Sequence, residues 1–273
     1  MSPSQFPPAW LSALGAWLPE RRPVAAASPG TPVVVDYRLR GDPVQVVLPG
    51  NHRSPTWRGG ALVFFHGHGM DHTQLTTRTG LALRATAEGW LAASALLGGR
   101  RHWSNDAALR AAGRLLVDLP GRFGVDPARI ALVGFSMGGG TALTVAANPL
   151  GQAYRVAAVA CTQGVTDPLA LAPPYQRSVR EAFGRAAQAR VAARSPIVLA
   201  DRLHGTPLYL EHGEADQAVP SGQTRALAAR LAALGIAATV RYHPGAAHAE
   251  ASIDEAAIIA FLRPFLSPEG APP

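Results

Sequence analysis

From about residue 31 the chain alternates short apolar runs with longer stretches rich in Ala, Leu and Arg, and that alternation predicts its architecture. Two β-rich runs come first, residues 33–39 and 44–48, separated by the turn cluster Arg40-Gly41-Asp42-Pro43. Together they predict an antiparallel hairpin. The next runs, at 61–65, 90–97, 130–134 and 156–161, are short, apolar and each followed by helical sequence. Two further units repeat the arrangement, 207–211 ahead of a helix at 223–234 and 238–242 ahead of a helix at 255–266. Strands buried on both faces read this way. The expectation is therefore an α/β fold with a mostly parallel central sheet, helices on both faces, and the hairpin as an antiparallel edge. In such a sheet, ligand chemistry belongs at the carboxyl ends of the strands.

Outside this pattern, an apolar patch at residues 9–18 predicts a short docking helix. A connector rich in Pro, Ala, Ser and Gly follows it, so residues 1–30 form a lead-in to a single domain at 31–266, with a tail at 267–273. The patch has no basic region ahead of it, since Arg21-Arg22 comes after, and so lacks the order of a secretory leader. Residues 165–206 form a cap-like insertion, in which the stretch 178–194 predicts a small helical cap over the pocket.

Composition narrows the function classes. With 273 residues and 48% hydrophobic content, the chain is long enough to bury one large core. All 25 basic residues are arginines, set against 18 acids, for a formal charge of +7. They are scattered from Arg21 to Arg263 with no run longer than a pair, so no phosphate-tracking stripe exists and nucleic acid is not an expected partner. Cys161 is the only cysteine, which excludes an intramolecular disulfide and a cysteine-based zinc site. A lone cysteine fits a reducing compartment, and cytoplasmic residence is the expectation. No stretch approaches the roughly 20 continuous apolar residues of a membrane span.

The chemistry concentrates at three places. The run Gly134-Phe135-Ser136-Met137-Gly138 sets G-x-S-x-G directly after an apolar strand and ahead of an alanine-rich helix. A serine on so tight a turn occupies a strained backbone region, and flanking glycines remove side chains that would clash. Its hydroxyl is then exposed above the sheet as a nucleophile. After the strand at 61–65 lies His66-Gly67-His68-Gly69, a loop able to turn a backbone N–H towards that serine. The His68 N–H and the Met137 N–H are the expected oxyanion donors. Because a serine hydroxyl needs a neighbouring base, the late loops supply the rest: Asp216 after the strand at 207–211, and His248 after the last strand. Asp167 and Glu214 are rival acids, with Asp216 preferred for its place in the loop. His212 and His243, at strand ends beside Gly or Pro, suit packed structural roles. His66, His68 and His72 lack the spacing of metal ligands, and no metal is expected. Trp103 and His102, just past the strand at 90–97, are candidates for lining the pocket.

These motifs, with Phe123-Gly124-Val125-Asp126-Pro127 leading into the serine turn and His212-Gly213-Glu214-Ala215-Asp216 leading into the acid, resemble the α/β-hydrolase superfamily over about residues 31–266. Within it they are similar to the esterase and prolyl-oligopeptidase/dienelactone-hydrolase-like branch. The resemblance implies acyl transfer through a covalent acyl-Ser136, with His248 moving the proton and Asp216 orienting the imidazole, and needs no cofactor. Dienelactone hydrolases use a cysteine where this chain has Ser136. Prolyl oligopeptidases carry a large accessory domain that 273 residues do not accommodate. A small carboxylesterase acting on a small-molecule ester is the expected activity, with a serine peptidase or amidase as the alternative and a non-catalytic hydrolase-fold binding protein as the more distant one.

Overall fold

A computed structural model of the chain describes residues 30–52, 57–148, 154–184 and 187–267. The expected N-terminal helix with its connector to residue 29, and the tail from 268 onward, lie outside the described residues. Eight described strands form one sheet: β1 (Val33–Leu39), β2 (Asp42–Leu48), β3 (Ala61–Phe65), β4 (Leu91–Ala95), β5 (Ile130–Phe135), β6 (Val156–Thr162), β7 (Leu208–Gly213) and β8 (Thr239–His243). Their order across the sheet is β1-β2-β4-β3-β5-β6-β7-β8. β2 runs antiparallel to both β1 and β4, and every other neighbouring pair is parallel.

The hairpin turn is tighter than the cluster at 40–43 suggested. Leu39 pairs with Asp42, so only Arg40 and Gly41 make the turn, at φ 50° and 87°. Two consecutive positive φ values give the twist that a two-residue hairpin connection needs. Asp42 and Pro43 therefore join β2, where the Asp42 carboxylate accepts from the N–H groups of Leu97 (3.0 Å) and Gly98 (2.9 Å).

The central strands divide their side chains between two cores. Ala61, Val63 and Phe65 of β3, with Ile130 and Leu132 of β5, pack under α3 (Asp106–Phe123), α4 (Met137–Ala147) and α7 (Gly222–Ala233). Leu62 and Phe64, with Ala131, Val133 and Phe135, pack on the opposite face under α1 (Gln74–Thr77), α2 (Leu81–Ala87) and α8 (Glu255–Leu266). This period-2 division is why the strands read as unbroken apolar runs: both faces are covered by helices. β8 departs from that expectation, being half-exposed along its length, because it is the edge strand opposite β1.

Between β6 and β7 the stretch 178–194, expected as one helix, is shared among the described residues by the end of α5 (Pro173–Phe183) and by α6 (Ala187–Ala192). Pro173 and Pro174 open α5, where a missing N–H costs nothing, and Gly184, at φ 65°, follows its last residue. Arg190 and Arg194 ion-pair with Asp106 at the start of α3, tying this segment to that helix.

Candidate active site

The serine turn has the strain its sequence predicts. Ser136 sits at φ 59°, between the last residue of β5 and the first of α4. Its N–H donates to Thr162 O at 3.0 Å, and its carbonyl accepts from Gly139 and Val165 N–H, both at 3.0 Å. Those bonds over-determine a conformation a free serine would leave. The flanking glycines are sterically required, though not by crowding each other alone. A Cβ on Gly134 would lie 2.1 Å from Gly138 O, and a Cβ on Gly138 would lie 1.8 Å from Phe65 O on β3. The second glycine thus lets α4 start hard against the neighbouring strand.

Three side chains from the carboxyl ends of the sheet converge. His248 Nε2 lies 2.9 Å from Ser136 Oγ, and His248 Nδ1 lies 2.6 Å from Asp216 Oδ2. Asp216 is buried, and its other oxygen accepts from Ala218 N–H (2.9 Å) and Val219 N–H (2.8 Å). Burial alone would push this carboxyl upward. Hydrogen bonds from His212 and His248 and from the Val219 N–H outweigh it and hold the group well below the usual carboxylate range. Asp216 is therefore charged at neutral pH, and as an acceptor it selects the His248 tautomer protonated at Nδ1, which leaves Nε2 free to take a proton from Ser136.

His212 does more than pack. Its Nδ1 faces Thr224 Oγ1 at 2.7 Å, and its Nε2 faces both Val219 O at 2.7 Å and Asp216 Oδ2 at 3.2 Å. The ring so braces the acid at the same oxygen that His248 faces. The rival acids are engaged elsewhere: Asp167 accepts from Leu169 N–H at 3.0 Å, and Glu214 pairs with Arg225. His243 faces Glu211 Oε2 at 3.2 Å, away from Ser136.

The loop after β3 supplies a free donor. Gly67 N–H is occupied by Gln74 Oε1 at 2.7 Å and Gly69 N–H by Arg100 O at 2.8 Å, whereas His68 N–H has no acceptor among the described residues. Met137 is the first residue of α4, so its N–H has no intrahelical acceptor either. The His68 ring is held by Ser178 Oγ of α5 at 3.0 Å and lies tilted against Trp103 (5.1 Å between centroids) and edge-on to Tyr175 (5.6 Å). Burial, and then nearby Arg101, hold this imidazole below its usual range.

Over Ser136 lies a cavity of about 200 Å³. Trp103, Val165, Leu171, Tyr175 and Val219 form its apolar side, while Gln74, His248 and Glu250 contribute polar groups. Trp103 thus lines the pocket, with its indole N–H on Ser178 Oγ at 2.9 Å. His102 does not. It is buried behind the loop against the His66 ring, 4.9 Å between centroids, because the chain turns at Trp103 and Ser104, both at positive φ. Among the described residues no group of three or more His, Cys, Asp or Glu side chains is placed to hold a metal ion, and no helix is long and apolar enough to cross a membrane.

Four supporting residues were not singled out from the sequence: Gln163, Gln74, Ser178 and Glu250. Gln163 is the most consequential. Buried and at φ 46°, it donates from Nε2 to Ala247 O (3.0 Å) and accepts on Oε1 from Ala249 N–H (3.2 Å), clamping the backbone on either side of His248. Its place just past the carboxyl end of a buried strand was the available signal, one it shares with many loop residues.

The model of the prolyl oligopeptidase family matches residues 118–266, which is more than half of the chain and spans all three converging side chains. No curated protein matches the chain by sequence. Among solved structures, a puromycin-hydrolyzing peptidase of Mycobacterium tuberculosis superposes with a TM-score of 0.69 at 23% identity, over 90% of this chain and 41% of the peptidase. An S-formylglutathione hydrolase from Agrobacterium tumefaciens gives a TM-score of 0.73 at 15% identity, over 89% of this chain and 98% of that one. A thermostable esterase from Pseudomonas putida gives 0.67 at 21% identity, over 89% and 85%. At these identities the superpositions establish a shared α/β-hydrolase fold. The chain spans less than half the length of the first of these relatives. With the family model covering the serine turn, the acid loop and the histidine loop together, the chain belongs to the prolyl oligopeptidase family.

Proposed function

We propose that this chain is a serine hydrolase that cleaves small carboxylic esters through an acyl-Ser136 intermediate. The observation that carries the reading is the unbroken relay from Ser136 Oγ through His248 to Asp216, at 2.9 Å and 2.6 Å, with two unoccupied N–H groups beside it. In this mechanism His248 takes the Ser136 proton as Oγ attacks the carbonyl carbon. The carbonyl oxygen gains charge and is received by His68 N–H and Met137 N–H. The ester C–O bond breaks, His248 passes its proton to the departing alcohol oxygen, and water repeats the sequence to release the acid. A cavity of about 200 Å³ favours a short substrate, being smaller than the roughly 300 Å³ at which drug-sized ligand sites begin.

Family membership favours a second reading, an amidase or peptidase built on the same three side chains. A panel of short p-nitrophenyl esters and matched anilides, run with wild type and Ser136→Ala beside fluorophosphonate labelling, tests both. Ester turnover and labelling that vanish in Ser136→Ala support the proposal. Turnover surviving in that variant refutes it, and anilides turned over as fast as esters favour the second reading.

A further inference from the structure

One polar group on the cavity wall is unused by the ester reading. Glu250 lies two residues past His248, on the short turn Glu250–Ser252, and lines the cavity together with Ser136 and His248. Its Oε1 accepts from Gln74 Nε2 at 2.8 Å, and Gln74 Oε1 in turn accepts from Gly67 N–H. The carboxylate is thereby fastened to the loop that carries the His68 N–H. Its Oε2 has no hydrogen-bond partner among the described residues.

The electrostatics of the wall are one-sided. Among the described residues no lysine or arginine lines the cavity, and Glu250 is the one carboxylate there. The other titratable side chains there are His68, Tyr175 and His248. His68 is held towards its neutral form, first by burial and then by Arg101, which stands outside the lining. His248 is neutral in the state that can accept the Ser136 proton. Arg100, whose carbonyl accepts from Gly69 N–H of this loop, is engaged with Asp71 through its side chain. Glu250 thus leaves a net negative cavity on a chain whose formal charge is +7. Trp103, Tyr175 and Phe135 add aromatic rings, whose faces attract cations and whose edges do not bind anions well enough to compensate a nearby carboxylate.

We infer that Glu250 and the aromatic wall form a subsite for a cationic group, an ammonium or guanidinium borne by the acyl or the alcohol half of the substrate. This rests on Ser136 being the nucleophile, and it narrows the substrate class to cationic esters over anionic ones.

The test uses ester pairs matched in shape: butyrylcholine against its uncharged carbon isostere, with the cation in the alcohol half, and p-nitrophenyl trimethylammoniobutyrate against its carbon isostere, with the cation in the acyl half. In wild type, kcat/KM for the cationic member of one pair exceeds its isostere by on the order of five- to tenfold, the scale of one partly exposed charge contact. The pair that shows the preference locates the subsite. In Glu250→Gln the ratio falls to near one. A ratio near one for both pairs in wild type, or a preference retained in Glu250→Gln, overturns the inference. Turnover of the neutral members, and its loss in Ser136→Ala, reports separately on the ester reading. A second measurement needs no turnover: calorimetric titration of benzyltrimethylammonium into Ser136→Ala and into the Ser136→Ala, Glu250→Gln double variant. Binding weakened by a similar factor in the double variant supports the subsite, and equal binding overturns it even if no ester is cleaved.

Discussion

Replacing Asp216 with asparagine changes one atom and inverts the hydrogen-bond logic of the relay. Two backbone N–H groups, from Ala218 and Val219, point at Oδ1 from 2.9 Å and 2.8 Å, so the amide oxygen of the variant must take that place. Its NH2 group is then left facing His248 Nδ1 at the 2.6 Å position. Two donors cannot share that contact, and the His248 proton moves from Nδ1 to Nε2, the atom facing Ser136 Oγ. A protonated Nε2 has no lone pair for the serine proton. His212 keeps Val219 O as its acceptor, so the loop retains its brace. The loss expected in kcat is roughly 10⁴-fold, or about 5.5 kcal/mol of transition-state stabilisation. KM should move little, because Asp216 does not line the cavity. The assay is steady-state hydrolysis of a short p-nitrophenyl ester, with Asp167→Asn as the control. The Asp167 side chain accepts from Leu169 N–H, a bond an amide oxygen preserves, so that variant stays within about twofold of wild type. Equal losses in the two variants, or the larger loss in Asp167→Asn, would refute the assignment of the acid.

The remaining expectations concern support and stability. Gln163→Ala removes both Gln163 hydrogen bonds to the backbone flanking His248 and should lower kcat by about 10- to 100-fold with a smaller change in KM, as expected when a reacting group is displaced by about 1 Å; kcat within twofold of wild type would show that the clamp is dispensable. His66 and His102 are both held below the usual imidazole range, by burial first, so the unfolded chain binds protons that the folded chain does not. Their contribution to stability is complete above about pH 6.5 and declines as the pH falls below it. Urea midpoints at neutral pH and near pH 5 should record the decline, and His102→Gln should flatten it. Asp216 acts lower: its depressed carboxyl contributes stability fully above about pH 4 and loses it on further acidification, a component absent from Asp216→Asn. Gly138→Ala forces a methyl onto Phe65 O and should abolish fluorophosphonate labelling or leave the protein insoluble; a soluble variant that labels at the wild-type rate would show that the serine turn tolerates a side chain there.

Much of the fold was legible because its signals are local. Apolar runs, a turn within Arg40–Pro43 and the glycine two residues before Ser136 each express a local backbone or burial requirement, whereas Gly138 answers to Phe65 O on β3. Ser136, Asp216 and His248 could be named as candidates for the same reason, since each follows a strand whose carboxyl end the pattern locates. Only the tertiary structure decided how those ends meet. The strand order, which puts β3 between β4 and β5, sets the His68 loop beside the serine turn, and no residue in either segment encodes that adjacency. Sequence position likewise placed His102 beside Trp103 at the pocket, whereas two positive-φ residues turn one ring into the cavity and leave the other behind the loop. Gln163, Gln74 and Glu250 reach partners 84, 7 and 176 residues away, and such polar contacts carry no periodic trace along the chain. Hydrophobic burial repeats with the backbone and so is written in the order of the residues. A hydrogen bond between distant loops depends on a distance and an angle that exist only once the sheet has assembled.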